Sequence, residues 1–229
     1  MRFNPSKCQV MHISRGKAQT KMYELCGELL STVSSAKYLG VTVSDDLHWE
    51  EQIHAVTNKS NSMLHLIARN LKNCSRATKA LAITTLVRPR LEYCSTVWDP
   101  HTETDKDKLE AVNRRAARVV YNKSWRQQGV SPTALLEDLG WETLEQRRKK
   151  QRLAMMFRID KGLIAVPKTR LIETERQGLR GHTKKFMELG STCNPVKFSF
   201  FVRTIKEWNL LSNDAVCAKT LEHFKELVY

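Results

Sequence analysis

The sequence predicts an α+β fold that is mainly α, in which a small N-terminal antiparallel sheet is followed by a helical bundle. Up to about residue 47, short runs rich in β-branched and aromatic residues alternate with turn residues. From Trp49 onward, apolar residues recur every three to four positions, which is the period of a helix buried on one side. With 229 residues, 41% of them hydrophobic, the chain can bury a substantial core.

The N-terminal strands are expected in three places. In residues 8–13 apolar and polar residues alternate enough to predict a buried strand. Residues 22–33 are expected to form a hairpin in which Gly27 permits the positive φ of a two-residue turn. Residues 37–43 are expected to complete one antiparallel sheet, with Gly40 at a bulge or a close backbone approach. Three or four strands of this kind need a covering partner to be stable.

Ser44, Asp45 and Asp46 mark the change from strands to helices. Their side-chain oxygens are suited to an N-cap, so we expect them to cap a long helix that begins near Trp49. An apolar strand followed by two aspartates also imitates a metal-binding carboxylate pair. Helix capping accounts for both aspartates, and it is the interpretation that the sequence favours.

Later helices are bounded by proline, glycine and capping residues. The periodicity predicts helices over residues 77–87, 91–98 and 104–121. Two more are expected to start at Ser131-Pro132 and at Thr143, and to end at Gly140 and Gly162.

The pattern loosens after residue 165. Residues 167–195 are polar and basic without sustained periodicity, which indicates a long loop, and helices return at 197–210 and near the C-terminus. The expected domains are therefore 1–47, 48–165 and 166–229.

The formal charge of +14 and the isoelectric point near 9.7 indicate a polyanionic partner, for which nucleic acid is the main candidate. The six cysteines are scattered without the C-x-x-C pairs of a structural zinc site, and buried thiols in a reducing compartment are expected. No apolar run is long enough for secretion or for spanning a bilayer. We expect no membrane partner and a location in the nucleus or cytoplasm.

Several blocks, in one order, resemble the reverse transcriptases of jockey-type LINE (non-LTR) retrotransposons, from the end of the palm through the thumb and beyond. They cover most of the chain: FNPSKCQVMHIS (3–14), SAKYLGVTVSDDLHW (35–49), LVRPRLEYCSTVWDPHT (86–102), LEAVNRRAARVVYN (109–122), LLEDLGWETLEQRRKKQRL (135–153) and, more weakly, KFSFFVRTIKEWNLL (197–211).

The resemblance implies a parent enzyme that copies RNA into DNA with two Mg²⁺ ions held by aspartates. In that family the aspartate blocks precede FNPSKC, so we expect a truncated RNA-directed DNA polymerase fragment, with a palm remnant and a thumb-like bundle. Such a chain alone would have no catalytic residues, no metal or other cofactor, and no enzymatic activity. The alternative is a non-enzymatic basic module, derived from a retroelement, that binds nucleic acid or protein.

Two candidate sites follow from the resemblance. Tyr38, Leu39 and Gly40 lie in a segment similar to the primer grip, where a glycine would let backbone approach the sugar-phosphate chain. Lys7 matches the lysine of an N-x-x-K block close to the incoming nucleotide in that family. The alternatives are a buried strand for the first segment and a solvated strand-end lysine for Lys7.

Basic helices suggest how the thumb-like region would hold a duplex, because arginine and lysine neutralise phosphates without reading sequence. The expected partners are RNA or an RNA–DNA duplex and, by the resemblance, the missing palm and fingers. Solvated faces paired with acids such as Glu142 and Glu145 are the alternative. Trp125, in a basic loop, could stack on an unpaired base. The candidates form two clusters: Arg114, Arg115 and Arg118, and then Arg147, Arg148, Lys149, Lys150 and Arg152.

Overall fold

The structure is a computed structural model that describes residues 3–14, 21–122, 129–174, 182 and 184–228. It confirms the predicted class, since helices dominate and the strands of the described residues lie in the N-terminal segment. Trp125 lies outside the described residues. Among the helices in the described ranges, none is both long enough and apolar enough to cross a bilayer.

Six short strands are found in the described part of the chain, and they form three separate pairs. β1 (Gln9–Val10) runs parallel to β4 (Ser31–Thr32). The other two pairs are antiparallel: β2 (Glu24–Leu25) with β3 (Glu28–Leu29), and β5 (Ser35–Tyr38) with β6 (Val41–Ser44).

The prediction of one antiparallel sheet, with residues 37–43 as a single strand, is wrong. Leu39 and Gly40 adopt positive φ values of 46° and 88°, so the chain reverses between β5 and β6 as a two-residue hairpin turn. Gly40 is therefore a turn residue and not a bulge. The hairpin predicted around Gly27 is present, with Gly27 at a φ of 82°.

The first long helix, α1 (Glu50–Asn70), is not capped by Ser44, Asp45 or Asp46, which corrects that expectation. Trp49 occupies the N-cap position without a side-chain cap. Asp46 instead closes its own turn, because its Oδ1 accepts from the His48 N–H at 2.8 Å. The hairpin is docked on α1 through Gln52, whose side-chain oxygen accepts from the Thr42 N–H at 2.8 Å.

Next come α2 (Arg76–Leu86), α3 (Arg88–Glu92) and α4 (Ser95–Trp98). The expected single helix over 91–98 is broken between α3 and α4, where Cys94 has a positive φ of 52°. The indole N–H of Trp98 donates to the Tyr93 carbonyl at 2.8 Å and fixes this corner.

Local capping signals set the next three helices, α5 (Glu103–Tyr121), α6 (Pro132–Asp138) and α7 (Leu144–Asp160). Ser131 caps α6 and Thr143 caps α7, as the sequence predicts. The structure adds a capping box between Thr143 and Gln146. Gly140 and Gly162 follow these helices with positive φ.

The C-terminal part contains α8 (Asn194–Lys197), α9 (Phe200–Trp208), α10 (Asn213–Cys217) and α11 (Leu221–Val228). Within the predicted loop, Glu173 and Phe186 form one antiparallel bridge. Buried residues of the described ranges gather in two clusters. The first cluster is formed by helices α1 through α6 together with the start of α7. The second is formed by the rest of α7 and the C-terminal helices.

Candidate nucleic-acid interface

The basic run in α7 points inward at two positions. Arg148 and Arg152 follow Leu144 at intervals of four residues, so they lie on the stripe that packs into the core. Their side chains are only 1% and 2% exposed. Burial lowers the pKa of both guanidinium groups.

Asp99 is the buried counter-charge for these arginines. The Arg148 Nε donates to Asp99 Oδ1 at 2.6 Å, Arg152 pairs with Asp99 Oδ2, and an Nη of Arg203 lies 3.2 Å from the same oxygen. Arg152 also donates to both carboxylate oxygens of Glu207, at 2.6 and 2.8 Å. The charge network therefore joins the α4–α5 connection to α7 and α9.

These contacts correct the prediction for most of the α7 cluster. Arg148 and Arg152 are enclosed by the chain and already paired, so they cannot reach a phosphate in this fold. Arg147 pairs with Glu92, and Lys150 pairs with Glu142. Lys149 alone of the predicted five is exposed.

The α5 cluster remains accessible. Arg115 is exposed and donates to the Asn61 side chain of α1, against which α5 packs. Arg114 and Arg118 are half-buried. Arg115 therefore lies beside α1.

Beyond its acidic first turn, the exposed side of α1 is a basic surface that the cluster-based prediction missed. Residues 52–91 contain no aspartate or glutamate. The stretch carries seven basic residues: Lys59, Arg69, Lys72, Arg76, Lys79, Arg88 and Arg90. The basic residues of this surface are too dispersed to form a recognisable run. The sequence signal that could have revealed the surface is the lack of aspartate and glutamate over residues 52–91. Without neighbouring carboxylates, exposed cations keep their charge available to an external anion.

A groove of about 530 Å³ lies between α1 and α3 on this surface. We call it the α1 groove. It is lined mainly by cationic and hydrogen-bonding side chains: Asn58, Lys59, Ser62, His65, Arg69 and Arg90. Such side chains suit phosphate and sugar oxygens, which accept hydrogen bonds and carry the negative charge of nucleic acid.

Three basic residues of the same stretch have structural roles. Lys79 is buried and donates to the Lys72 carbonyl at 3.0 Å and to the Asn122 side chain at 2.9 Å. The guanidinium groups of Arg76 and Arg88 lie over the rings of Tyr121 and Trp141, at 4.6 and 5.0 Å from the ring centroids.

The primer-grip-like segment is the tip of the β5–β6 hairpin. Tyr38 and Leu39 are 72% and 74% exposed, so the alternative of a buried strand is wrong for Leu39. The Tyr93 hydroxyl donates to the Leu39 carbonyl at 3.0 Å. A Cβ added at Gly40 would lie 3.2 Å from the Tyr93 ring, so the turn sits closely against that side chain.

Lys7 is exposed at the end of a short 3₁₀-helix, Pro5–Lys7. It precedes β1, which pairs with β4 and not with the hairpin that carries Tyr38. The strand ladders of the described residues therefore do not join Lys7 to the hairpin tip.

Asp45 and Asp46 line an acidic pocket with Glu50 and Glu51. Over the described ranges, no group of three or more His, Cys, Asp or Glu side chains has an arrangement that could hold a metal ion. The residues described do not fit the Mg²⁺ pair of the resembling family.

Comparisons with protein-family models, with curated proteins and with solved structures found no match to this chain.

Proposed function

We propose that this chain is a thumb-like part of a LINE-type reverse transcriptase that holds a nucleic-acid duplex by its phosphates along α1. The observation that carries the proposal is the α1 groove, in which Lys59, Arg69 and Arg90 line one open surface on an acid-free stretch. The ordered sequence blocks that resemble the family supply the enzyme class. RNA-templated DNA synthesis is the reaction of the parent enzyme, and we propose duplex binding, without synthesis, for this chain.

The dimensions of α1 suit a duplex. Its 21 residues span roughly 30 Å, and beyond the acidic first turn its cations Lys59 and Arg69 are separated by roughly 15 Å along the axis, a distance that covers more than one phosphate of a strand. Phosphate contacts spread over such a length release counterions and give affinity without reading sequence. Arg115 on the α5 flank and Arg90 on the α3 side would extend contact beyond the helix itself.

The test measures how affinity for an RNA–DNA hybrid depends on salt. A fluorescently labelled hybrid is titrated with the chain at several salt concentrations between 50 and 200 mM, with anisotropy as the readout. We expect a steep fall in affinity as salt rises. In Lys59→Gln/Arg69→Gln, the loss of two phosphate contacts should reduce the slope of log K against log salt by about 1.4 to 1.8.

The matched control is Lys206→Gln/Lys219→Gln, which removes the same formal charge from exposed positions of the C-terminal part. If binding responded only to net charge, both double variants would weaken it equally. Equal slopes for the two variants, or a salt-independent affinity in the unmodified chain, would contradict a phosphate site at α1.

A further inference from the structure

A separate cavity of about 440 Å³ lies where the two buried clusters meet, between the start of α1, the α4–α5 connection, α7 and the α8–α9 segment. Its walls are unusually rich in rings. The half-buried aromatic residues that line it are Trp49, His101, Phe198, Phe200 and Phe201. A pocket of this size, lined largely by apolar and aromatic side chains, is typical of small-molecule binding sites.

One wall already has stacking geometry. The rings of His101 and Phe198 lie parallel within 8°, with their centroids 4.1 Å apart. Phe200 and Phe201 meet edge to face, at a centroid distance of 5.2 Å. Each of these two rings covers one face of the other, so a ligand ring would extend the stack at an outer face, which aromatic side chains offer to any nucleobase.

Polar groups accompany the rings. Burial, together with the nearby His48 and Arg203, lowers the pKa of His101, so its imidazole is neutral near pH 7. A neutral imidazole offers one hydrogen-bond donor and one acceptor. Within the part of the chain that the structure describes, neither ring nitrogen of His101 has a hydrogen-bond partner. A purely apolar ligand would leave that capacity unused, whereas the sugar of a bound nucleotide can satisfy it.

A cation lies beside the same wall. The Lys197 Nζ is 5.4 Å from the centroid of the Phe198 ring, and Lys197 is exposed. A phosphate attached to a bound base could therefore reach this ammonium group while the base stays inside. Arg203 cannot serve in this way, because its guanidinium group is held by Asp99 and by the Pro100 carbonyl.

We propose that this cavity binds one unpaired nucleobase. The base extends the stack at an outer face of the His101–Phe198 pair, its attached sugar bonds to the edge of His101, and its phosphate faces Lys197. This inference goes beyond the proposed function, because a duplex held along α1 presents phosphates, whereas the cavity admits a single ring.

Calorimetric titration with adenosine 5′-monophosphate tests the proposal, with ribose 5-phosphate as the probe that lacks a base. We expect saturable binding of the nucleotide and binding of the sugar phosphate at least about tenfold weaker, since stacking on aromatic side chains supplies most of the discrimination. Phe198→Leu keeps apolar volume but removes the ring, and should weaken nucleotide binding about tenfold. His101→Gln should weaken it as well.

Phe3→Leu, at an exposed ring elsewhere in the chain, is the control and should leave nucleotide affinity unchanged. The proposal is overturned if the nucleotide does not saturate, if both probes bind equally, or if Phe198→Leu binds like the unmodified chain. Retained folding of both cavity variants is checked by circular dichroism. Failure here is distinct from failure at α1: Phe198→Leu should still bind the hybrid, and Lys59→Gln/Arg69→Gln should still bind the nucleotide.

Discussion

Replacing Asp99 with asparagine tests whether the buried charge network holds the two clusters together. The substitution keeps the shape of the side chain but removes its charge. Arg148, Arg152 and Arg203 would then lose their shared carboxylate, and Glu207 would remain as a counter-charge for Arg152. Arg148 would be the worst affected, because it is 1% exposed and its two Nη atoms have no hydrogen-bond partner among the described residues.

The expected loss in the free energy of unfolding is large. Removing one partner of a buried ion pair typically costs about 3–5 kcal/mol, because the remaining charge stays desolvated. Domains of ordinary stability unfold with a free energy of about 5–15 kcal/mol, so Asp99→Asn should remove a large share of it. For a chain of this length, the melting temperature should fall by roughly 6–20 °C. Urea denaturation and thermal melting, both followed by circular dichroism, measure these changes.

The control is Asp107→Asn, at an exposed position of α5, where a change within about 0.5 kcal/mol is expected. A second variant, Asp99→Asn/Arg148→Met, removes the stranded cation together with its partner. It should be less destabilised than the sum of the two single variants, since neighbouring groups in one network couple. A loss below about 1 kcal/mol for Asp99→Asn, or strict additivity in this cycle, would show that the buried charge network does not hold the two clusters together.

Two further predictions concern the hairpin turn and a buried histidine. Gly40→Ala should destabilise the β5–β6 hairpin by about 1–2 kcal/mol, because φ at position 40 is positive and the new Cβ meets Tyr93. The backbone amides of β6 should then exchange hydrogen faster than they do in the control variant Gly190→Ala. Unchanged amide exchange in Gly40→Ala would contradict this. Burial lowers the pKa of His182, whose neutral ring accepts from the Lys184 N–H and can donate to the Trp208 carbonyl. As the pH falls, His182 is protonated more readily in the unfolded state than in the folded state. The free energy of unfolding is therefore highest above about pH 6.5 and falls below that pH by at most about 1.4 kcal/mol per pH unit. Urea denaturation at pH 7.5 and 5.5 should show a smaller decrease in His182→Gln, and an unchanged decrease would contradict the assignment.

Much of the helical part could be predicted because its signals are local. A cap such as Ser131 or Thr143 acts within one turn of its own helix, and Gly140 and Gly162 act on the turn directly before them. The β5–β6 hairpin was missed because the local signal for its turn is weak. Its turn places Leu39, which is not a typical residue for positive φ, at the first turn position.

The α7 cluster could not be interpreted from local sequence, because its partners are distant. Arg148 bonds to Asp99, 49 residues away, and Arg152 bonds to Glu207, 55 residues away. Asp99 itself was noticeable in the sequence only as a residue before proline at the end of a helix.

The sequence does contain one kind of information about which basic residues are buried, namely their helical register. Arg148 and Arg152 continue the spacing of Leu144, and Lys79 continues the spacing of the buried Ile83 and Val87, so each was placed on an inward stripe by its position alone. A basic residue on such a stripe must find a partner inside the fold, because a buried charge without one is too costly. Basic residues off the stripe, such as Lys59 and Arg69 on α1, are the ones left to meet an external anion. Register therefore separates internal from external cations before any partner is known, and on α1 it selects the same residues as the α1 groove.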